Sequence, residues 1–195
     1  MDVLEAKRAL RERVVRSRAA LGPEERAAAA ASCARIVDAL PAWQAARTVA
    51  LYAPIGAEMD TAELARRAAA AGKRVAWPLV RPGEAVLAFA ACAPGDLVPG
   101  PLGTRQPPAS SPPVPLADVD LVVVPGVAFD GQGRRLGRGR GHYDATLAAL
   151  PAGTPRVGLA FELQVVATVP SEGHDAPVDA VATERRLLAG GRPLR

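Results

Sequence analysis

At 195 residues, 49% of them apolar, the chain is of a size that folds as one domain around a substantial core. Its apolar stretches are only a few residues long, far short of the roughly 20 that cross a bilayer. It opens on the charged MDVLEAKR, with no apolar signal core, so a cytoplasmic protein without a membrane partner is expected. The formal charge of +4 suits a nucleic acid or a polyanionic small molecule equally well, and its distribution must decide between them.

Leu4, Leu10, Val14 and Val15 give the first 20 residues a helical apolar stripe among Lys7, Arg8, Arg11, Arg13, Arg16 and Arg18, which reads as a basic amphipathic helix. Gly22, Pro23, Glu24 and Glu25 open a second, Ala-rich helix that ends near Leu40 and Pro41. From Arg47 the period changes. RTVALYAP reads as a short buried strand, Asp60 and Glu63 form a D-x-x-E capping signature for a helix ending at Gly72, and RVAWPLV is the next strand. Strand, helix and strand make a βαβ unit with parallel strands, and AVLAFAA adds a weaker strand in a meander at the edge. The Pro-rich stretch 93–117 lacks amide donors at its prolines and is expected to be a long loop inside the domain, not a linker.

After it, DLVVVPG is a strong strand, RLGRGRGHYD a glycine-rich turn, DATLAAL a short helix, PRVGLAF a further strand and DAVAT the last one. The expected fold is α/β, a single domain with an open, mainly parallel sheet flanked by helices in a Rossmann-like three-layer arrangement. Binding loops belong beyond the carboxyl ends of its strands. Cys33 and Cys92 lie too far apart for a CxxC pair and are expected to be reduced, buried thiols. Trp43 and Trp77 are expected in the core, with no aromatic series to stack single-stranded nucleic acid.

The most informative stretch is VVVPGVAFDGQGRRLGRGRGHYDATL, where Gly137, Gly139 and Gly141 are interleaved with Arg138 and Arg140 after Arg135. Glycines let backbone amides approach an anion, guanidiniums bind phosphate oxygens, and a helix starting near His142 would point its positive end at the same place. Neither the Walker A pattern nor the dinucleotide fingerprint is present. A phosphate cradle and a solvated or RNA-binding Arg/Gly turn both remain open on these residues alone.

RLGRGRGHYD resembles the R-L-G-R-G-x-G-Y-Y-D loop of 5-formyltetrahydrofolate cyclo-ligases, also called 5,10-methenyltetrahydrofolate synthetases. KRALR, YAPIGAEMDT, VPGVAFDGQGRRLGRG, and GLAFELQ with VPSEGHDAPVDAVATE resemble the family's other blocks in the family's order, over nearly the whole chain. The resemblance implies ring closure of 5-formyltetrahydrofolate to 5,10-methenyltetrahydrofolate, with ATP as co-substrate, Mg2+ as cofactor, and ADP and phosphate released. Phosphorylation of the formyl oxygen would give an iminophosphate that the neighbouring N10 attacks.

By resemblance, Lys7, Arg8, Ala9, Leu10 and Arg11 bind ATP from the first helix. Arg135, Leu136, Gly137, Arg138, Gly139, Arg140, Gly141, His142 and Tyr143 bind it from the glycine loop, Arg138 being the catalytic cation. Lys7 and Arg11, at i and i+4, share one helical face; the bland alternative is a solvated basic face. Glu58 matches the substrate-contacting glutamate, and Ala53, Leu102, Arg138 and His142 line the same folate pocket, while Tyr52 is expected in the core. Asp144 and Asp179 match the magnesium ligands, though each Asp also suits a structural role, Asp144 as a helix cap and Asp179 at a strand end.

His142 stands where the family commonly has the first of two tyrosines, Arg140 where glycine or lysine is frequent, and Leu102 in GPLGTRQP where an aromatic residue often packs on the folate. His174 and Asp175 also match the family and are expected to brace a loop. The expected partners are small molecules, with no nucleic acid, and a monomer is the default. The rival readings are a nucleic-acid-binding module, an α/β enzyme for a sugar phosphate or acyl-CoA, and a family member that binds folate without catalysis.

Overall fold

The computed structural model describes residues 2–191, with the side chain of Leu102 outside the description. Helices α1 (Val3–Ala19), α2 (Pro23–Asp38) and α3 (Pro41–Ala45) precede β1 (Thr48–Ala50). Helix α4 (Ala62–Ala70) leads to β2 (Arg74–Leu79), followed by β3 (Ala88–Ala91). The Pro-rich stretch contributes the short antiparallel pair β4 (Val98–Pro99) and β5 (Arg105–Gln106), single 3-10 turns and a bridge from Pro113 to Ala90 of β3. Strand β6 (Leu121–Val124) then runs into the hairpin of β7 (Ala128–Phe129) and β8 (Arg135–Leu136). Helix α5 (His142–Ala149), β9 (Arg156–Leu159), β10 (Ala180–Ala182) and β11 (Leu187–Ala189) complete the order.

The main sheet is ordered β11-β10-β9-β6-β1-β2-β3. Its five inner strands are parallel, and β3 and β11 close the two edges antiparallel. Side chains alternate across the pleat. Val49, Leu121, Val123 and Val157 meet Cys33, Val37 and Trp43 of α2 and α3 and Leu64 of α4 on one face. Ala50, Val122 and Val124 meet Phe89, Phe129 and Leu147 on the other, beneath α5. This is the expected three-layer α/β arrangement, with helices on both faces because both faces are apolar. Trp43 and Trp77 are buried in it, as the sequence led us to expect.

The path reverses between β1 and β6: β2 and β3 add to one side of this pair, and β9, β10 and β11 to the other. Such a switch point opens a crevice beyond the carboxyl ends of the two strands.

Several local details differ from expectation. On α1 the inward stripe is Lys7, Leu10, Val14 and Arg18, while Leu4 and Val15 face solvent. Thr61 stands at the N-cap position of α4 with its hydroxyl turned to the Tyr52 carbonyl; Asp60 accepts from the Ala62 N–H, and Glu63 pairs with Arg66 and Arg67 instead of closing a capping box. The small elements α3, β4, β5, β7, β8 and β11 were not anticipated.

Candidate active site

A cavity of about 880 Å³ lies over the switch point. Tyr52 and Ala53, just past β1, and Pro125 and Gly126, just past β6, form its floor. Two buried bonds fix the loop that leaves β1. The Tyr52 hydroxyl donates to the Met59 carbonyl at 2.7 Å, and the Thr61 hydroxyl donates to the Tyr52 carbonyl at 2.7 Å. Tyr52 is therefore in the core, as expected, and its other role is to hold the turn that presents Glu58. The Glu58 carboxylate accepts from the Ile55 N–H at 2.8 Å and from Arg138 Nε at 2.8 Å, and it lines the cavity.

The glycine-rich loop forms the opposite wall, with every residue from 135 to 144 on the lining. Its base is held by the hairpin before it. The buried Asp130 accepts from the backbone N–H groups of Gln132, Arg134 and Val169 and from Arg134 Nε, which leaves neither oxygen without a donor. Arg135 is buried, donates to Asp144 at 2.6 Å, and lies 5.9 Å from the Tyr143 ring centroid. Gly139 and Gly141 have φ of +88° and +71°, a conformation that glycine adopts without strain. Gly141 caps α5, so the first turn of that helix, beginning at His142, borders the cavity. Arg138 donates to Glu58 and, through Nη2, to the Ile55 carbonyl at 2.9 Å. Arg140 is exposed on the rim. His142 is braced by a 3.0 Å contact between Nδ1 and the Ala85 carbonyl. Burial, followed by the nearby Glu58 charge, pushes the Tyr143 phenol well up.

Helix α1 supplies the third wall. Lys7 and Arg11 both line the cavity, and Arg11 Nε donates to the Gly137 carbonyl at 3.1 Å, tying helix to loop. Lys7 sits between two carboxylates, Glu172 at 2.8 Å and Asp175 at 2.6 Å. Burial would lower the Lys7 ammonium, but its hydrogen bonds to Asp175 and Glu172 outweigh this and hold it above its ordinary value. Burial likewise opposes the Asp175 charge, and the Lys7 bond holds its carboxyl below the usual range. Asp175 also accepts from the Glu172 N–H at 2.7 Å, so the loop-bracing role falls to Asp175. His174 lines the cavity, with Nε2 3.8 Å from Asp175.

Not all expected site residues meet here. Arg8 is exposed away from the lining, Ala9 is absent from it, and Leu10 packs under α1 against the β7–β8 hairpin. Asp179 is buried at the start of β10, where it accepts from the Arg156 N–H at 2.9 Å; it is not on the cavity wall. The Leu102 side chain lies outside the described residues. Conversely, Arg105, Glu172 and the Pro125–Gly126 corner line the cavity without having been singled out. Only Pro125 and Gly126 carried a local signal, standing directly after a strong strand.

Lys7, Arg11, Arg135, Arg138 and Arg140 around one switch-point cavity, with carboxylates among them, define an α/β enzyme for an anionic small molecule. The profile of the 5-formyltetrahydrofolate cyclo-ligase family matches residues 3–184, and the chain belongs to that family of ligases. It is 36% identical over 174 residues to the 5-formyltetrahydrofolate cyclo-ligase of Escherichia coli (strain K12), covering 87% of this chain and 96% of that protein. It is 32% identical over 151 residues to the 5-formyltetrahydrofolate cyclo-ligase of Mycolicibacterium smegmatis, covering 75% of this chain and 78% of the relative. The NMR structure of Aquifex aeolicus 5,10-methenyltetrahydrofolate synthetase superposes with a TM-score of 0.81 at 32% identity, over 97% of this chain and 93% of the other. A 5,10-methenyltetrahydrofolate synthetase from Mycoplasma pneumoniae, 22% identical, shares the fold with a TM-score of 0.75, over 94% of this chain and 99% of that one.

Proposed function

We propose that the protein uses ATP and Mg2+ to cyclise 5-formyltetrahydrofolate to 5,10-methenyltetrahydrofolate, releasing ADP and phosphate. The observation that carries this reading is the convergence on one cavity of the glycine-loop arginines, the α1 cations and Glu58. Phosphoryl transfer asks for positioning and charge neutralisation more than for covalent help. The loop has the parts for both. Arg138 and Arg140, the backbone of residues 137–141 and the N-terminus of α5 face the phosphate chain, and Lys7 and Arg11 close on it from the other wall.

Glu58 accepts hydrogen bonds from the donor edge of the pterin, and Ala53 and Tyr52 floor the same pocket. Arg138, between Glu58 and the loop, stands where the formyl oxygen receives the phosphoryl group. N10 then adds to the activated formyl carbon and gives up its proton to solvent, and the tetrahedral adduct expels inorganic phosphate with the C–O electron pair to leave the methenyl bridge.

The residues fit a magnesium ion in one place. Asp144 lines the cavity beside the loop, and both of its hydrogen bonds, from Arg135 and from the Ala176 N–H, fall on Oδ1. No cluster of three or more such ligands occurs among the described residues. Magnesium usually takes only one or two protein carboxylates, with phosphate and water completing its shell. Asp144 would hold it, and the ion would supply charge neutralisation at the phosphates.

Arg138→Ala tests the reading. Turnover should fall by about 10²-fold or more while the far-ultraviolet circular dichroism is unchanged. Normal turnover would remove the loop from the chemistry.

A further inference from the structure

On the cavity wall Arg135 and Arg138 each hold one carboxylate, Asp144 and Glu58, and Arg11 holds a carbonyl. Lys7 holds two carboxylates, Glu172 at 2.8 Å and Asp175 at 2.6 Å. An ammonium has three N–H donors, so two of them are engaged by acids at the point where a phosphate chain is to be gripped. One positive charge between two negative ones offers a polyanion no net attraction. A phosphate that reaches Lys7 therefore needs one of the carboxylates to give way.

The two acids are not held alike. Asp175 is 14% exposed, and its Oδ2 accepts both from Lys7 and from the Glu172 N–H at 2.7 Å. The Asp175 N–H returns to the Glu172 carbonyl at 3.0 Å, which closes the turn 172–175, and the Ala176 N–H that follows is fixed on Asp144 at 3.2 Å. Moving Asp175 off Lys7 would open this turn and strand a carboxylate in little water.

The Glu172 side chain is 38% exposed, and Lys7 is the one hydrogen-bond partner of its carboxylate among the described residues. The turn is closed through the Glu172 backbone N–H and carbonyl, so rotation of the side chain alone carries the carboxylate to solvent. Water there compensates it for the lost ion pair. Lys7 is 9% exposed and has no such recourse; it keeps a second anion only if a phosphate oxygen takes the place.

We propose that the two acids divide the work on Lys7: Asp175 is the positioning residue that fixes the ammonium at the cavity wall, and Glu172 is an exchangeable partner whose place a nucleotide phosphate takes. The ammonium then lies between two anions before and after the exchange, and Glu172 sets how tightly the nucleotide is held. This rests on the reading of Lys7 as a phosphate contact.

The test is calorimetric titration of the full chain with Mg-ADP, without folate, and separately with inorganic triphosphate. Glu172→Gln removes the competing charge and should tighten both ligands about three- to fivefold, the range of a partly exposed ion pair. Asp175→Asn should weaken both by about tenfold or more. In a Lys7→Met background at least half of the Glu172→Gln gain, counted as free energy, should vanish, since no ammonium is left to compete for. Survival of more than half would mean general repulsion of phosphate and would overturn the exchange. Binding that Glu172→Gln leaves unchanged or weakens, or a wild type that takes neither ligand, would overturn it too. In turnover, Asp175→Asn should raise KM for ATP while KM for 5-formyltetrahydrofolate stays within about twofold. Equal losses for both substrates would leave Asp175 a structural role alone and overturn the division.

A variant that loses its circular dichroism is replaced, Lys7→Met by Lys7→Gln and Asp175→Asn by Asp175→Ser. Ring closure plays no part in the titrations. A protein that closes no ring but shows these affinities would lose the proposed function and keep the exchange; ring closure with nucleotide affinity unmoved by Glu172→Gln would do the reverse.

Discussion

Arg135→Met removes the cation at the base of the glycine loop and leaves Asp144 behind. The Arg135 side chain is 3% exposed and Asp144 19%, and their oxygen–nitrogen separation is 2.6 Å. Breaking a buried pair by deleting one partner costs roughly 3–5 kcal/mol, because the remaining charge is stranded. Asp144 borders the cavity and keeps the Ala176 N–H, so the low end, about 3 kcal/mol, applies here. For a chain of 195 residues each kcal/mol moves Tm by about 2–4 °C, which gives a fall of about 6–12 °C. Thermal unfolding by circular dichroism at neutral pH measures it, with Asp144→Asn and the double variant completing the cycle. The double variant should lose less than the two single losses together. A fall below about 2 °C, or simple additivity, would refute the view that this pair anchors the loop.

Lys7→Met should lower Tm more at neutral pH than near pH 3. The Asp175 carboxyl is held low in the folded state, so its contribution is present above about pH 4 and fades as pH falls through the folded value. The Lys7 side holds until pH rises above the ordinary lysine range, about 10.4, so neutral pH lies inside the window. An equal loss at both pH values would remove the ion pair from the explanation. His142→Tyr should leave turnover within roughly tenfold, since the ring would still border the cavity at the first position of α5. Complete loss would give His142 a specific chemical role. Burial pushes the Cys33 thiol up to about 12, so it should resist a disulfide reagent at pH 8 until denaturant is added. Rapid labelling of Cys33 in the native protein would contradict its place on the buried face of α2.

What the sequence revealed follows from how local each signal is. The glycine loop could be read because glycine, arginine and the start of a helix stand within ten residues of one another. The order of strands and helices could be read because β1, β2, β6 and β9 are apolar runs separated by helices or breakers. Pairings across the chain left no such mark. Lys7 meets Glu172 and Asp175 across 165 and 168 residues, and nothing in KRALR or EGHDAP separately declares the contact. Arg18 was one basic residue among many on α1. Periodicity favoured Leu4 and Val15 as the inward face, and the fold instead buried Lys7 and Arg18, the first of them against Glu172 and Asp175. Asp130 and Gln164 were silent for the same reason: Gln164 receives the Phe161 N–H and donates to the Gly126 and Val127 carbonyls, binding the floor of the cavity to a distant turn.

The central claim concerns a reaction, and one measurement addresses it directly. Purified protein is mixed with 5-formyltetrahydrofolate, Mg2+ and ATP, and the near-ultraviolet absorbance of methenyltetrahydrofolate is followed beside ADP release. The account predicts absorbance growth that requires both ATP and Mg2+, with one ADP formed for each ring closed. Absence of ATP-dependent growth, or ADP release uncoupled from ring closure, would contradict it.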